Sequence, residues 1–303
     1  MKLIVLMSTY NGERYIRQQL DSLLKQSVLP DKIYIRDDGS KDNTVSILEE
    51  YASEHPIIEY YYGKNLGPAR SFWELINRCE DADYYALCDQ DDVWFEDKIE
   101  TALDVLQKED NNIPLLYCCR YKLTDKDLNV INSDVSKLYD FSDFPHSLIY
   151  HTAPGCTFVF NRQARKKIIE YDVNKEYCII HDAIIHKVVA MFGEVILDRD
   201  AHMYYRQHGD NEIGMNANKI EVFAGRIKRF LTGKIKNYRS NTAKSLLNVY
   251  GNEIDDEKKK LLQIVADYRN QPDLKRQFLK EKRFRSGTVN DFFLDLLILA
   301  NYI

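Results

Sequence analysis

The sequence predicts an α/β protein with a mostly parallel sheet flanked by helices, followed by an all-helical C-terminal region. In the first half of the chain, apolar runs typical of buried strands alternate with amphipathic stretches of helical periodicity. Each of the first four apolar runs ends in a polar turn, and beyond about residue 218 only helical periodicity remains. Such alternation is typical of parallel sheets with helices on their faces.

The first 108 residues are predicted to contain four strands and four helices. Short apolar runs between turn residues predict strands at 2–9, 32–36, 57–62 and 84–88. Amphipathic stretches predict helices at 13–26, 42–53, 68–79 and 95–108. In the first helix, for example, Ile16, Leu20 and Leu23 recur at helical spacing.

The second half is less regular. Strands are expected at 115–121 and 156–160, joined by a long polar segment over 125–143, and short strands at 195–197 and 202–205. Helices are expected at 181–192, 222–231, 239–250, 257–270, 274–284 and 289–303. The loss of strand patterns places a domain boundary near residue 215, which divides the chain into residues 1–215 and 216–303.

The composition is that of an ordinary globular protein, with 303 residues of which 45% are hydrophobic and 29% charged. The six cysteines form no CxxC pair, which favours free thiols in a reducing compartment. The N-terminal apolar run is too short for a signal peptide, and no run approaches the roughly 18 apolar residues that span a bilayer. We therefore expect a cytoplasmic protein.

The net charge of −5 conceals an asymmetry, because residues 1–218 carry −13 and residues 219–303 carry +8. Between Lys219 and Lys244, eight cations accompany a single acid, with apolar residues such as Phe223 and Phe230 interleaved. Two interpretations stay open: a solvated helical face, or an amphipathic surface for anionic lipid headgroups or a diphosphate-bearing acceptor. Nucleic acid is not expected, because no binding motif accompanies the charge. The apolar stretch 292–299 suits a core or dimer-packing helix or a second membrane contact.

Four polar turns follow the four predicted strands. They are Ser8-Thr9-Tyr10-Asn11-Gly12, Asp37-Asp38-Gly39-Ser40, Asn65-Leu66-Gly67 and Asp89-Gln90-Asp91-Asp92. Each alone is typical of a turn, but the carboxyl ends of parallel strands meet at one edge of a sheet, where ligands bind. The last turn places three carboxylates in four positions, and carboxylate oxygens are ligands that Mg²⁺ and Mn²⁺ prefer.

These four turns, at these spacings, resemble the family 2 glycosyltransferases, which have the GT-A fold. The resemblance covers roughly the first 110 residues and implies inverting transfer of a sugar from a nucleotide donor to an acceptor hydroxyl. It assigns Asp91 to a Mn²⁺ or Mg²⁺ ion that bridges the donor phosphates. The residues assigned to the donor nucleotide are Ser8, Tyr10, Asn11, Asp38, Asn65 and Asp89, of which Asp89 contacts the ribose or helps to hold the metal.

The family also places a catalytic base at the start of a helix in the second half. Asp182 matches that context, although a carboxylate stabilised by the helix dipole is the simpler interpretation without the resemblance. His181 either orients the base or acceptor or is an exposed histidine near the helix start. Trp94 is either an acceptor contact that stacks on a sugar or a core residue.

The stretch 205–211 resembles a block in the rhamnosyltransferase-like branch of the family. It implies that His208 completes the metal shell and that Arg206 pairs with the diphosphate; a polar loop is the alternative. Residues 1–215 would thus form the catalytic domain and residues 216–303 a basic helical region for acceptor, membrane or dimer contacts.

The resulting hypothesis is a metal-dependent glycosyltransferase at the inner face of the cell membrane. It would transfer rhamnose from dTDP-L-rhamnose to a lipid-linked glycan during surface polysaccharide synthesis. UDP-glucose and UDP-galactose are the alternative donors. A sugar nucleotidyltransferase is a rival, but its Gly-rich basic loop after the first strand is missing. A non-catalytic binding module is another, and it would not need Asp91 and Asp182 together.

Overall fold

The structure, a computed structural model, describes residues 1–132, 141–150, 153–208, 236–288 and 290–303. The strands are β1 (Leu3–Thr9), β2 (Lys32–Asp37), β3 (Ile58–Tyr62), β4 (Tyr84–Asp89), β5 (Val93–Trp94), β6 (Leu115–Thr124), β7 (Val130–Asn132), β8 (Phe158–Asn161) and β9 (Glu194–Arg206). The helices are α1 (Ile16–Leu24), α2 (Thr44–Glu54), α3 (Pro68–Arg78), α4 (Lys98–Leu106), α5 (Phe144–Ser147), α6 (Arg162–Ile168), α7 (His181–Phe192), α8 (Tyr238–Tyr250), α9 (Asp256–Asp267), α10 (Pro272–Lys280) and α11 (Asn290–Leu299). Short 3-10 turns lie at Gly155–Thr157 and Lys282–Phe284.

One nine-stranded sheet has the order β3-β2-β1-β4-β8-β6-β9-β5, with β7 paired to β6. Strands β1 to β4 pair in parallel, as predicted. In the other half only β6 and β9 are parallel, while β8 is antiparallel to both neighbours and β5 is antiparallel to β9. The sheet is therefore mixed rather than mostly parallel. A strand buried on both faces lacks apolar–polar alternation, so its sequence does not indicate its direction.

The register of the parallel strands brings the polar turns together. Ser8 at the end of β1 lies opposite Asp89 at the end of β4, and Thr9 lies opposite Asp37 at the end of β2. Residues 3–7 of β1 are buried, with α1 and α3 packed against the sheet through buried apolar side chains. The rigid centre of the sheet therefore holds three polar turns at one edge.

Two predictions for the second half change. Helix 181–192 is present as α7, but the two short strands predicted at 195–197 and 202–205 are one strand, β9. Its central residues Asp198, Arg199 and Asp200 are polar, which is why the sequence pattern breaks there. The pairing register of β9 with β6 also shifts in this region, so an irregular ladder carries the strand across the polar residues.

The C-terminal helices share a core with the rest of the protein. Leu246, Leu262 and Ile298 belong to the same buried apolar cluster as Leu6 and Phe160 of the sheet. The boundary near 215 and the helix at 222–231 lie outside the described residues, so the domain division stays a prediction.

The last helix, α11, is only partly covered. Leu294 and Ile298 pack inward, whereas Phe292, Leu296 and Leu299 are exposed. None of the helices in the described ranges is long and apolar enough to cross a membrane.

Candidate active site

The turns after β1 and β4 are tied together by Gln90. The Tyr10 backbone N–H donates to Gln90 Oε1 at 2.9 Å, and Gln90 Nε2 donates to the Tyr10 carbonyl at 3.0 Å. A Cβ at Gly12 would lie 2.2 Å from Gln90 Oε1, so a larger residue at this position would displace the Gln90 side chain. The Tyr10 side chain remains exposed, with 42% of its surface accessible. Its ring is therefore free to meet a ligand at this edge.

The turn after β2 is held by its two carboxylates. Asp37 accepts from the backbone N–H groups of Gly39 and Ser40 and from Thr9 Oγ1. Asp38 is 2% exposed; it pairs with Arg36. The predicted contact between Asp38 and a nucleobase stays a prediction, and it would have to share a carboxylate that is already hydrogen-bonded.

Asp38 also fixes the turn after β3. Its two oxygens accept from the backbone N–H groups of Leu66 and Gly67, each at 2.8 Å. Gly67 has a φ of +78°, which favours glycine and lets the chain enter α3 at this point. Next to this turn, Asn65 is exposed.

Ser8 and Asn11 differ in their surroundings. The half-buried Ser8 hydroxyl lies 2.6 Å from the hydroxyl of Ser71 on α3. Exposed Asn11 has a φ of +48°, its backbone N–H donates to Ser40 Oγ, and its side-chain oxygen accepts from the Lys41 backbone. Both residues therefore lie at the predicted edge, where Ser8 connects β1 to α3 and Asn11 connects the turns after β1 and β2.

The acidic turn after β4 meets the end of β9. Asp91 Oδ2 lies 2.8 Å from His208 Nε2, although the two residues are 117 positions apart. Asp89 and Asp92 lie beside Cys156, with one ligand-type atom of each within 4.8 Å of the others. The fold thus assembles three carboxylates, an imidazole and a thiol from three separate segments.

The charged forms of Asp89 and Asp92 in this turn are disfavoured by their surroundings. Burial, and then the neighbouring carboxylate of Asp91, raise the pKa of Asp89 and of Asp92 above the usual range. Asp182 also contributes to the shift at Asp89, so the carboxylate at the start of α7 lies near the acidic turn. Negative charge is therefore concentrated where a cation would relieve it.

Asp182 itself is almost enclosed. It is 6% exposed, and its Oδ2 accepts from the Gly155 backbone N–H at 2.9 Å. Beside it, the His181 ring stacks on Phe72 at a centroid distance of 4.3 Å. One turn along α7, Lys187 is buried, and burial lowers the pKa of its amine to about 7. The start of α7 therefore presents an enclosed carboxylate near the acidic turn, and the predicted role of Asp182 as a general base stays a prediction.

Comparison with known proteins identifies the family. The model for Glycosyl transferase family 2 matches residues 4–169. The dTDP-rhamnosyl transferase RfbG of Shigella flexneri is 30% identical over 249 residues, which cover 78% of this chain and 82% of that protein. The chain belongs to glycosyl transferase family 2. It is therefore a glycosyltransferase, as the four turns predicted.

Solved structures show the fold. TarS 1-349 of S. aureus, in complex with UDP-GlcNAc, matches with a TM-score of 0.58 and 16% identity, covering 99% of this chain and 80% of that chain. The mannosyltransferase PcManGT of Pyrobaculum calidifontis, in complex with GDP-Man and Mn²⁺, matches with a TM-score of 0.57 and 15% identity, covering 99% and 79%. The predicted GT-A fold of the glycosyltransferase is confirmed.

The acidic turn of this glycosyltransferase has a donor set that fits a divalent cation. Asp91 supplies a carboxylate oxygen and His208 an imidazole nitrogen, and the pair already faces one another at 2.8 Å. Oxygen and imidazole ligands together suit Mn²⁺ better than Mg²⁺, which prefers oxygen alone. The metal roles of Asp91 and His208 stay predictions, with geometry that accommodates them.

Two predicted contacts do not agree with the structure. Trp94 is 3% exposed, and the Lys98 amine lies 3.3 Å from the centre of its ring. It is a core residue rather than a platform for a sugar. Arg206 is 2% exposed, and its guanidinium donates to Asp91 and Lys126 carbonyls and to Gln18. This does not agree with the predicted contact to a diphosphate.

Sequence analysis missed the residues that connect the turns. Gln90 lies inside the acidic run, and nothing in the sequence distinguishes its amide from an ordinary polar residue of a turn. Arg36 directly precedes Asp37 in the buried second half of β2, and an arginine between Ile35 and Asp37 was a usable signal of a buried ion pair. Tyr15, whose ring contacts His208 and Arg206, could not be found from the sequence, because an aromatic residue at helical spacing is typical of a core position.

Proposed function

We propose that this glycosyltransferase inverts the anomeric carbon of a nucleotide-activated sugar as it transfers the sugar to a hydroxyl of a lipid-linked glycan. The observation that supports this most directly is the pairing of two features at one sheet edge. An enclosed carboxylate, Asp182, lies near an acidic turn in which Asp91 faces His208. Inversion needs a base and a leaving-group site on opposite sides of the sugar.

The proposed reaction uses few groups. Asp182 accepts the proton of the acceptor hydroxyl as that oxygen forms a bond to the anomeric carbon. The bond between this carbon and the diphosphate breaks at the same time, and the nucleoside diphosphate leaves with the electron pair. A Mn²⁺ or Mg²⁺ ion held by Asp91 and His208 would supply neutralising charge for that leaving group. Exposed Tyr10 and Asn65 and half-buried Ser8 are placed to contact the nucleotide.

The donor we propose is dTDP-L-rhamnose. The support is the relationship to the dTDP-rhamnosyl transferase RfbG, which extends over 78% of this chain. Purified protein is incubated with Mn²⁺ and a panel of dTDP-, UDP- and GDP-sugars, and release of nucleoside diphosphate is measured. We expect dTDP-L-rhamnose to be used fastest, and NMR of the product to show an inverted anomeric configuration.

The panel also separates the alternatives. Faster use of UDP-glucose or UDP-galactose would replace the donor while leaving the reaction type in place. Pyrophosphate as a product would favour a nucleotidyltransferase, and a retained anomeric configuration would contradict the role of Asp182. Asp273→Asn, on the exposed surface of α10, is the matched control for carboxylate substitutions.

We also propose that the enzyme works at the cytoplasmic face of a membrane, where a lipid-linked acceptor is presented. The support is the exposed apolar face of α11, which includes Phe292, Leu296 and Leu299; the basic amphipathic stretch at 222–231 lies outside the described residues. In a flotation assay with vesicles of anionic lipid, the wild type should move with the vesicles. The triple variant Phe292→Ser, Leu296→Ser, Leu299→Ser should stay in the vesicle-free fraction. If the variant floats equally but changes from dimer to monomer in light scattering, this face is a dimer interface.

A further inference from the structure

The ring of Tyr15, at the start of α1, connects two residues at the end of β9. Its centroid lies 4.8 Å from that of the His208 ring, with 34° between the ring planes. The guanidinium carbon of Arg206 lies 4.6 Å from the centre of the same Tyr15 ring. Tyr15 is 7% exposed, so its ring is fixed by packing. His208 therefore rests against a ring that is itself held in place by Arg206.

Arg206 reaches the other member of the pair as well. Its Nε donates to the backbone carbonyl of Asp91 at 2.8 Å, and its backbone N–H donates to Asp92 Oδ1 at 3.1 Å. The two terminal guanidinium nitrogens of Arg206 donate to the Lys126 carbonyl at 2.6 Å and to Gln18 Oε1 at 2.5 Å. The acidic turn, the turn after β6 and helix α1 are thus joined by one side chain.

We propose that Arg206 and Tyr15 are positioning residues for the Asp91–His208 pair, and that they set its affinity for a divalent cation. A planar fork that satisfies three acceptors at once fixes their relative positions with little freedom. Contact with the tilted ring of Tyr15 restricts rotation of the imidazole, so its nitrogen stays directed at the Asp91 carboxylate. The inference rests on the cation site of the proposed function, but it does not depend on which sugar is transferred.

The phenol oxygen and the ring of Tyr15 make separable contributions. Within the described residues, the buried Tyr15 hydroxyl has no hydrogen-bond partner, whereas its ring contacts both His208 and Arg206. Tyr15→Phe should therefore behave as the wild type, while Tyr15→Leu should not. A similar pair elsewhere, Arg17 over the ring of Tyr51 at 5.7 Å, provides the control variant Tyr51→Leu.

The test measures binding of Mn²⁺ alone to the full chain by electron paramagnetic resonance, without nucleotide. We expect Tyr15→Leu and Arg206→Lys to weaken Mn²⁺ binding about 10-fold or more, as is typical when a group that orients a metal ligand is removed. Gln18→Leu, at an exposed position on α1, removes one hydrogen-bond acceptor of the Arg206 guanidinium and leaves no cavity in the core. This variant should weaken Mn²⁺ binding to a smaller extent. Tyr15→Phe and Tyr51→Leu should bind Mn²⁺ as the wild type does.

A second measurement separates positioning from direct contact with the diphosphate. In EDTA, affinity for thymidine diphosphate should be unchanged in Arg206→Lys if the residue acts through Asp91 and His208. A loss of that affinity would instead show a diphosphate contact and overturn the inference. Unchanged Mn²⁺ binding in both Arg206→Lys and Gln18→Leu, or no saturable binding to the wild type, would also overturn it. If these variants weaken Mn²⁺ binding while no donor is turned over, the proposed function fails and the inference stands.

Discussion

The proposed donor side, formed by the polar turns after β1 to β4, and the proposed catalytic side, around Asp182 and His208, are built in different ways. On the donor side, four turns from the first 92 residues are linked to one another by short hydrogen bonds, such as those of Gln90 with Tyr10 and of Asp38 with Leu66. On the proposed catalytic side, His208 contacts Asp91, which lies 117 positions earlier in the chain, and Asp182 accepts from the Gly155 backbone N–H. The difference teaches that the proposed donor side has sequence motifs of its own, whereas the proximity of Asp91 and His208 follows only from the completed fold.

The largest expected effect separates the two sides directly. Asp182→Asn keeps the shape of the side chain and an oxygen for the Gly155 N–H, but it removes the group that accepts a proton. We expect kcat to fall about 1,000-fold, within the range typical of a lost general base, while affinity for the nucleoside diphosphate stays unchanged. Steady-state kinetics and calorimetric titration of the diphosphate measure the two quantities.

The control for this variant is Asp273→Asn, which should change neither quantity. A parallel loss of diphosphate affinity in Asp182→Asn would show that the two sides are not independent. Activity close to that of the wild type would remove Asp182 from the reaction.

The sequence was sufficient to predict that four polar turns lie at one edge of the sheet, because the signals for strands and turns are local. Polar turns after four apolar strands, in register at one edge, predict a binding site from alternation and turn chemistry alone. The same reasoning failed for Trp94, since an aromatic beside an acidic run looks alike whether its ring faces the cleft or the core. It also failed for Arg206, whose three acceptors lie on segments that only the folded chain brings together.

The catalytic side was predictable only through the family resemblance. Nothing local distinguishes Asp182 from a carboxylate that stabilises a helix start, because both occupy the first turn. Its enclosure arises from the Gly155 turn and from the packing of α7, and burial is a property of the whole fold. The sequence does not indicate strand directions in the second half of the sheet for a related reason, because β8 and the first five residues of β6 are continuously buried and contain no alternation.

A smaller effect tests whether the donor platform depends on a buried ion pair. Asp38→Ala leaves Arg36, which is 1% exposed, without its buried partner and removes the acceptor for two backbone N–H groups. We expect the free energy of unfolding to fall by about 3 kcal/mol. Urea unfolding of the variant and the wild type gives the difference.

Glu74→Ala is the matched comparison, because Glu74 also pairs with Arg36, at 3.2 Å, but is 38% exposed. Its loss should cost about 1 kcal/mol or less. Both variants could instead lose an equal, small free energy of unfolding while only Asp38→Ala binds nucleotide weakly. Asp38 would then be a ligand contact rather than a structural residue of the donor side.

The smallest effect concerns a long-range contact of β9, the strand that leads to His208. His202 on β9 lies 3.2 Å from Asp198 and 3.0 Å from Asp97, which precedes α4. Its hydrogen bond to Asp198 raises the pKa of His202. Burial acts to raise the pKa of Asp198, but hydrogen bonds from His202 and Tyr117 outweigh it and lower that pKa to about 2. Folding therefore favours the charged form of both groups.

The sign of the pH dependence follows from these two shifts. A raised histidine pKa contributes stability that is complete below the unfolded value near 6.5 and is lost as the pH rises through the folded value. The depressed Asp198 pKa contributes stability above about 4, which falls away only toward its folded value near 2, so it is constant in the neutral range. The stability advantage of the wild type over His202→Gln should thus be largest below about pH 6.5 and shrink as the pH rises above that value. If the stability advantage of the wild type does not change with pH, the contact between β9 and Asp97 depends on packing rather than on charge. The stability of β9 would then be independent of histidine protonation, as we expect for the donor side.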